Sequence, residues 1–261
     1  MADESRVGIS TASFFPYLLT EEAVDAAASL GFHVLEAFLQ ADEEYTLPFG
    51  EELGRRARDA GVRIHSLHLY ATLFDLWSPY RRVRRETRDR YRRVLEIAHR
   101  CGATALTWHG LRYQLDNPQW VEPFLESTVW AAELAEEAGL RLCLENVSWC
   151  YLRRIEHVER IKALPVEIGF TFDVFQAAEV GVPVEAMARA MGERMTTTHI
   201  SDYADDGRRH LPPGEGLLDW EAVGAVLRSI GYRGPLIIEV TAVREEERLR
   251  RARDFLLRWQ V

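Results

Sequence analysis

Five times along this chain an amphipathic, helix-length stretch ends at a glycine, and a short apolar run follows. The junctions are Leu30-Gly31-Phe32, Ala60-Gly61-Val62, Cys101-Gly102-Ala103, Ala138-Gly139-Leu140 and Ile230-Gly231-Tyr232. A glycine just past the last helical turn takes the left-handed conformation at no steric cost. The repeated unit is therefore a helix feeding a strand. Eight apolar runs read as strands: Val7–Ser10, Val34–Phe38, Val62–His68, Ala105–His109, Arg141–Glu145, Ile168–Asp173, Met195–His199 and Leu236–Glu239. They show little polar alternation, as expected of strands buried on both faces. Helical patterns fall at Thr20–Leu30, Glu51–Ala60, Arg84–Arg100, Trp120–Ala138, Arg153–Ala163, Val184–Met191, Trp220–Ile230 and Arg244–Trp259. Eight such units in about 250 residues predict an α/β chain of the (β/α)8 TIM-barrel type, as a single domain over residues 1–261. A doubly wound open sheet is the alternative. It would want a glycine-rich turn after the first strand, and the segment from Ser10 to Phe15 contains no glycine.

Composition narrows the function. With 47% hydrophobic and 28% charged residues the chain is neither disordered nor fibrous. No apolar run approaches the length of a membrane span. The start of the sequence carries acids and no apolar segment, so no secretory signal is expected. Three scattered cysteines, Cys101, Cys143 and Cys150, suit neither a disulfide framework nor a paired-cysteine metal knuckle, and a cytoplasmic location is expected. A formal charge of −9 argues against a dedicated nucleic-acid binder. The arginine-rich stretch Arg81–Arg93 reads as a solvated helix face, with a subunit contact or anion patch as the alternative. Lys162 is the sole lysine. It falls late in a helix, hence at the bottom of a barrel, so Schiff-base chemistry is not expected.

Chemistry-bearing residues gather at strand ends. The fifth to eighth strands end in Glu145, Asp173, His199 and Glu239. A charged residue at one strand end is usually an ordinary boundary. Four on neighbouring staves of a barrel converge on one mouth. Three ionised carboxylates there repel one another unless a cation offsets them. Two glutamates, an aspartate and a neutral imidazole form a donor set for Mn2+, Co2+, Zn2+ or Mg2+.

These segments resemble the xylose isomerase-like barrel superfamily, in its sugar phosphate isomerase/epimerase and endonuclease IV-like branch. The likeness is carried by Leu144-Glu145-Asn146, Thr171-Phe172-Asp173, the run from Thr198 to Asp202, the turn from His210 to Gly216 with Asp219-Trp220, and Ile238-Glu239. The resemblance implies one divalent metal ion held by Glu145, Asp173, His199 and Glu239. It also implies that Glu145 and Glu239 move protons on opposite faces of a substrate. A metal-chelated sugar carbonyl would then lose its α-proton to a glutamate through an enediolate. The chain departs from the endonuclease-like pattern twice, with Gln176 and Arg208 where that branch has a histidine and an aspartate.

Other residues are expected to contact substrate. His68 and His109 end the third and fourth strands, where the endonuclease-like relatives bind further zinc. Substrate contact is preferred here over ligation, with a hydrogen-bonded pocket wall as the plainer reading. Gln176 can bond a sugar hydroxyl. Arg208, Arg209 or His210 would meet a phosphate or terminal hydroxyl, and Glu36 a hydroxyl or a neighbouring loop. Asn146 and Asp202 flank the proposed ligands and are expected to orient them. Trp108 with Phe14, Phe15, Tyr17, Tyr70, Phe74, Trp77 and Tyr80 would form an apolar hood over the sugar, or cap the barrel. The expected activity is a metal-dependent sugar or sugar phosphate isomerase or epimerase, with a small molecule as its partner. Self-association is left open. Three alternatives remain: dehydration of an inosose-like ketone, hydrolysis of abasic DNA, and non-catalytic sugar or metal binding.

Overall fold

The computed structural model describes residues 6–69, 76–112, 117–241 and 245–259. Eight strands form a closed, all-parallel barrel in sequence order: β1 (Val7–Ser10), β2 (Val34–Leu39), β3 (Arg63–Leu69), β4 (Ala105–Trp108), β5 (Arg141–Glu145), β6 (Gly169–Asp173), β7 (Met195–Ile200) and β8 (Leu236–Ile238). Closure comes from β1, which pairs Gly8 with Val34 of β2 on one side and with Ile237 of β8 on the other. Gly8 suits that place because a Cβ there would stand 2.6 Å from Ile237 Cδ1 and 2.7 Å from the Val34 carbonyl oxygen. The predicted barrel is thus the observed one, and the open-sheet alternative falls.

Helices alternate with the strands: α1 (Thr20–Ser29), α2 (Leu47–Asp59), α3 (Arg81–Cys101), α4 (Pro118–Glu137), α5 (Ile155–Lys162), α6 (Val174–Glu179), α7 (Val184–Met191), α8 (Trp220–Ser229) and α9 (Glu246–Arg258). The glycines at 31, 61, 102, 139 and 231 all have φ between +69° and +81°, as the junction pattern requires. Helix starts are less legible. Helix α2 begins at Leu47 rather than Glu51, because Pro48 fits a first turn, where no N–H is needed. Helix α6 was not predicted. Its six residues are too few to display a helical period, and it is started by the Asp173 carboxylate accepting from Gln176 N at 2.7 Å.

One layer inside the barrel is polar. Glu36, Ser66, Thr107 and Thr171 are all buried. Ser66 Oγ and Thr107 Oγ1 donate to Glu36 Oε2 at 2.7 and 2.9 Å, and Thr107 and Thr171 share a hydroxyl contact of 3.0 Å. Trp108 is buried outside this layer, packed with Trp77 and Phe124. No helix among the described residues is long and apolar enough to cross a membrane.

Candidate metal centre and active site

A cavity of about 720 Å³ opens at the C-terminal ends of the strands. His68, His109, Glu145, Asp173, Gln176, His210 and Glu239 line it, with Phe15, Phe38 and Trp149 among its apolar walls. A crevice of similar size, about 740 Å³, lies outside the barrel between α8 and α9, and its described lining contains no histidine. The chemistry is therefore sought at the mouth.

At the base of the mouth, Glu145, Asp173, His199 and Glu239 each bring one donor atom within 4.8 Å of the others. Register explains the convergence. Asp173 pairs with His199 across β6 and β7, and Glu239 donates its backbone N–H to Ile200 at 3.2 Å, one step past β8. His199 Nδ1 lies 2.9 Å from Glu145 Oε1 and 3.1 Å from Glu239 Oε2. Asn146 clasps the Asp173 backbone by two 2.8 Å hydrogen bonds, its Nδ2 donating to the carbonyl and its Oδ1 accepting from the N–H. Ser10 Oγ donates to Glu239 Oε1 at 3.2 Å.

The histidines expected to contact substrate stand beside this group. His68 Nε2 and His109 Nε2 are 2.8 Å apart, and His109 Nε2 approaches Glu145 Oε2 to 2.9 Å. His68, His109 and Glu145 make a second group with donor atoms within 4.8 Å. Phe38 and Trp149, neither singled out from sequence, set their ring edges against His68 and His109 at centroid distances of 4.4 and 5.2 Å. Gln176 uses its Oε1 to accept from Ser148 N at 2.8 Å. His210 packs edge-on to Phe175, contacts Ser201 Oγ at 3.3 Å and takes a left-handed φ of +49°.

Other expected contacts lie elsewhere. Glu36 is fully buried beneath the cavity rather than lining it. Trp108 is likewise sealed in the core. Arg208 pairs with Asp206 at 2.8 Å, and Arg209 with Glu179 at 2.7 Å, both with largely exposed side chains. Of the aromatic hood, Phe15 reaches the cavity, whereas Phe14 and Trp77 are core and Tyr80 stands exposed at the start of α3. Tyr70 and Phe74 lie outside the described residues. Lys162 reaches the Ala190 carbonyl at 3.0 Å and is not part of the cavity.

Electrostatics test the donor set. Burial alone would neutralise every group here, but the carboxylates and imidazoles charge one another. Burial works against a charged His199, yet Glu239, Glu36 and Glu145 hold its pKa well above the ordinary value. His68, despite burial, is pushed up to about 9 by Glu36, Glu239 and Glu145. Burial would raise Glu145 and Glu239, but the histidine charges hold both below the usual carboxylate range. Burial and the neighbouring Glu145 charge drive Asp173 well above it. One buried carboxylate oxygen, Asp173 Oδ2, accepts no hydrogen bond. An oxygen left bare in a cluster of like charge fits a cation, so the residues present suit a divalent metal.

Comparison with known proteins agrees with this architecture. The family model described as xylose isomerase-like TIM barrel matches residues 24–259. An L-ribulose-5-phosphate 3-epimerase, UlaE of Escherichia coli O1:K1, is 25% identical over 256 residues, covering 90% of this chain and 88% of the relative. A D-psicose 3-epimerase from Clostridium cellulolyticum H10, solved with D-tagatose, superposes with a TM-score of 0.83 at 19% identity, covering 98% of this chain and 99% of the other. The IOLI protein, solved with a bound zinc atom, superposes with a TM-score of 0.82 at 16% identity, covering 97% and 96%.

Proposed function

The chain belongs to the xylose isomerase-like TIM barrel family, and on that premise we propose that it is a divalent-metal-dependent epimerase or isomerase of a small sugar or sugar phosphate. The observation that carries the proposal is the convergence of Glu145, Asp173, His199 and Glu239 at the floor of an open cavity. The curated relative named above is a sugar epimerase, which supports the same class. These four residues would hold the ion. When bound, it supplies Lewis-acid polarisation of the sugar carbonyl and charge to balance the enediolate; Mn2+, Co2+, Zn2+ and Mg2+ all suit the donors.

The chain's own groups supply the rest. Glu239 has the more open side chain of the two glutamates, 13% exposed against 3% for Glu145. In the metal-free site the His199 and His68 charges overcome burial to favour its ionised form, the form a general base requires, and a bound cation would favour the same form. Glu239 takes the proton α to the carbonyl, and Glu145, once it has taken up a proton from solvent in the cavity, returns it from the opposite side, inverting the carbon. Ser10 orients the Glu239 carboxylate. His68 and His109 bind hydroxyls, as does the Gln176 amide nitrogen, whose oxygen is already engaged by Ser148 N. Phe15, Phe38 and Trp149 exclude water from the reacting carbons.

The test is proton exchange. Incubated with Mn2+ in D2O and a panel of ketoses and ketose phosphates, the protein should introduce deuterium beside the carbonyl of one of them. Glu239→Gln should slow uptake by about 100-fold or more. Undiminished uptake in that variant would remove Glu239 from its role. The His68, His109 and Glu145 group favours a second reading, a hydrolase with more than one metal. Metal content separates the two, since that reading requires at least two ions per chain.

A further inference from the structure

We propose that Glu36 is a positioning residue that fixes the tautomers of two imidazoles at once, so that in the metal-loaded protein His199 Nδ1 and His68 Nε2 are the nitrogens that turn lone pairs to the metal centre. The inference rests on the metal-centre reading above and concerns a residue outside the ligand set of that reading.

Glu36 sits at the middle of β2 with no exposed surface. Its Oε1 lies 2.7 Å from His199 Nε2 and 3.2 Å from His68 Nδ1. Its Oε2 accepts from Ser66 Oγ and Thr107 Oγ1 at 2.7 and 2.9 Å. An ionised carboxylate only accepts, so a ring nitrogen facing it carries the hydrogen. A neutral imidazole has one such hydrogen. With Nε2–H of His199 committed to Glu36, Nδ1 is the nitrogen left to give up its hydrogen when a cation enters. That atom is the one 2.9 Å from Glu145 and 3.1 Å from Glu239. With Nδ1–H of His68 committed, Nε2 is likewise the nitrogen left to give up its hydrogen, and that atom faces His109 at 2.8 Å and Glu145 at 3.4 Å. One carboxylate therefore imposes opposite tautomers on two rings. The rings stand 5.2 Å apart and 26° from parallel. A carboxylate behind a ligating histidine fixes its ring and raises its basicity. The hydroxyls of Ser66 and Thr107 meet the other oxygen, Oε2, and take no part in the two histidine contacts of Oε1.

A purely structural role within the polar layer is the competing account, and three proteins separate the two. Mn2+ is titrated calorimetrically into metal-stripped wild type, Glu36→Gln and the double variant Ser66→Ala/Thr107→Val. Ring 15N shifts of the histidines are read in the Zn2+-loaded proteins. Wild type should bind Mn2+ and show protonated Nε2 on His199 with protonated Nδ1 on His68. Glu36→Gln should weaken Mn2+ by about 10- to 100-fold and lose that pattern. The double variant disturbs the layer but leaves both histidine contacts, so its affinity should stay within about 3-fold of wild type, with the pattern intact. Should Glu36→Gln fail to fold, Glu36→Asp, which withdraws the carboxylate from both rings, should weaken Mn2+ in the same direction. Equal affinity in wild type and the Glu36 variant would overturn the positioning role, as would equal losses in the Glu36 and double variants, or the reverse tautomers. A wild type that binds no Mn2+ at millimolar concentration would instead overturn the metal reading itself.

Discussion

On the proposed metal reading, Asp173 serves an ion at the cost of the ion-free fold. Its backbone is clasped by Asn146, and its Oδ1 starts helix α6. The other oxygen is buried without a hydrogen bond. Burial and the Glu145 charge raise its folded pKa well above the ordinary value. A carboxyl raised in this way costs stability above its unfolded pKa and costs nothing when protonated in both states. Asp173→Asn keeps an oxygen to accept from Gln176 N and removes the charge. We expect the metal-free variant to melt higher than metal-free wild type at pH 7, with a smaller gain near pH 4, while Mn2+ affinity falls at least about 10-fold. A variant that melts lower at both pH values in scanning calorimetry would contradict this.

At the scale of elements, the loop from β7 to α8 is organised around one buried acid. Asp202 pairs its backbone with Leu211. Its carboxylate accepts from the backbone N–H groups of Tyr203, Gly214, Gly216 and Leu218 and from Trp220 Nε1, at 2.9 to 3.2 Å. Gly216 fits so closely that a Cβ there would stand 2.2 Å from the Tyr203 carbonyl oxygen. The residue expected to orient a ligand thus orients a whole loop, and through it His210, which lines the cavity. Asp202→Ala leaves five donors unmatched, the indole N–H of buried Trp220 among them. That should cost about 3 kcal/mol or more and lower Tm by roughly 10 °C. It should also raise KM for the sugar more than it lowers Mn2+ affinity, because the proposed ligands stand on the strands or at their ends rather than in this loop. A thermal melt within about 2 °C of wild type would refute the staple.

Across the whole molecule, the groups at the mouth of the barrel link stability to pH and, on the proposed reading, to metal. His68 has a folded pKa of about 9, and His199 is also raised well above its ordinary value. A histidine raised on folding contributes stability that is complete below its unfolded pKa, near 6.5, and is lost as pH rises through the folded value. Metal-free protein should therefore lose Tm between about pH 6.5 and 9. Metal ligands must be deprotonated, so loading releases protons and grows tighter over the same range. With Mn2+ at about 100 times its dissociation constant, binding adds about 2.7 kcal/mol, and Tm should hold steady or rise where the metal-free protein declines. Parallel pH profiles with and without metal would show that these groups do not meet the ion.

How far the sequence carried differs by kind of information. The barrel was legible because its evidence is local and repeated: glycines after helices, apolar runs between them. The short helix α6 and the early start of α2 were not, because neither leaves a full period of pattern. The four proposed ligands were legible because strand order in a barrel makes strand ends neighbours, so that Glu145, Asp173, His199 and Glu239 needed no knowledge of side-chain direction. Direction is what separated Glu36 from His68, although both lie on neighbouring strands. The pleat and register turn the first beneath the histidines and open the second to the cavity. The same holds for Phe38, Trp149, Ser66 and Thr107, whose roles come from partners tens of residues away. Periodicity and strand order determined which residues share an end of the molecule. Only the closed barrel, with its register and burial, decided which of them touch, which charge one another and which never see the mouth.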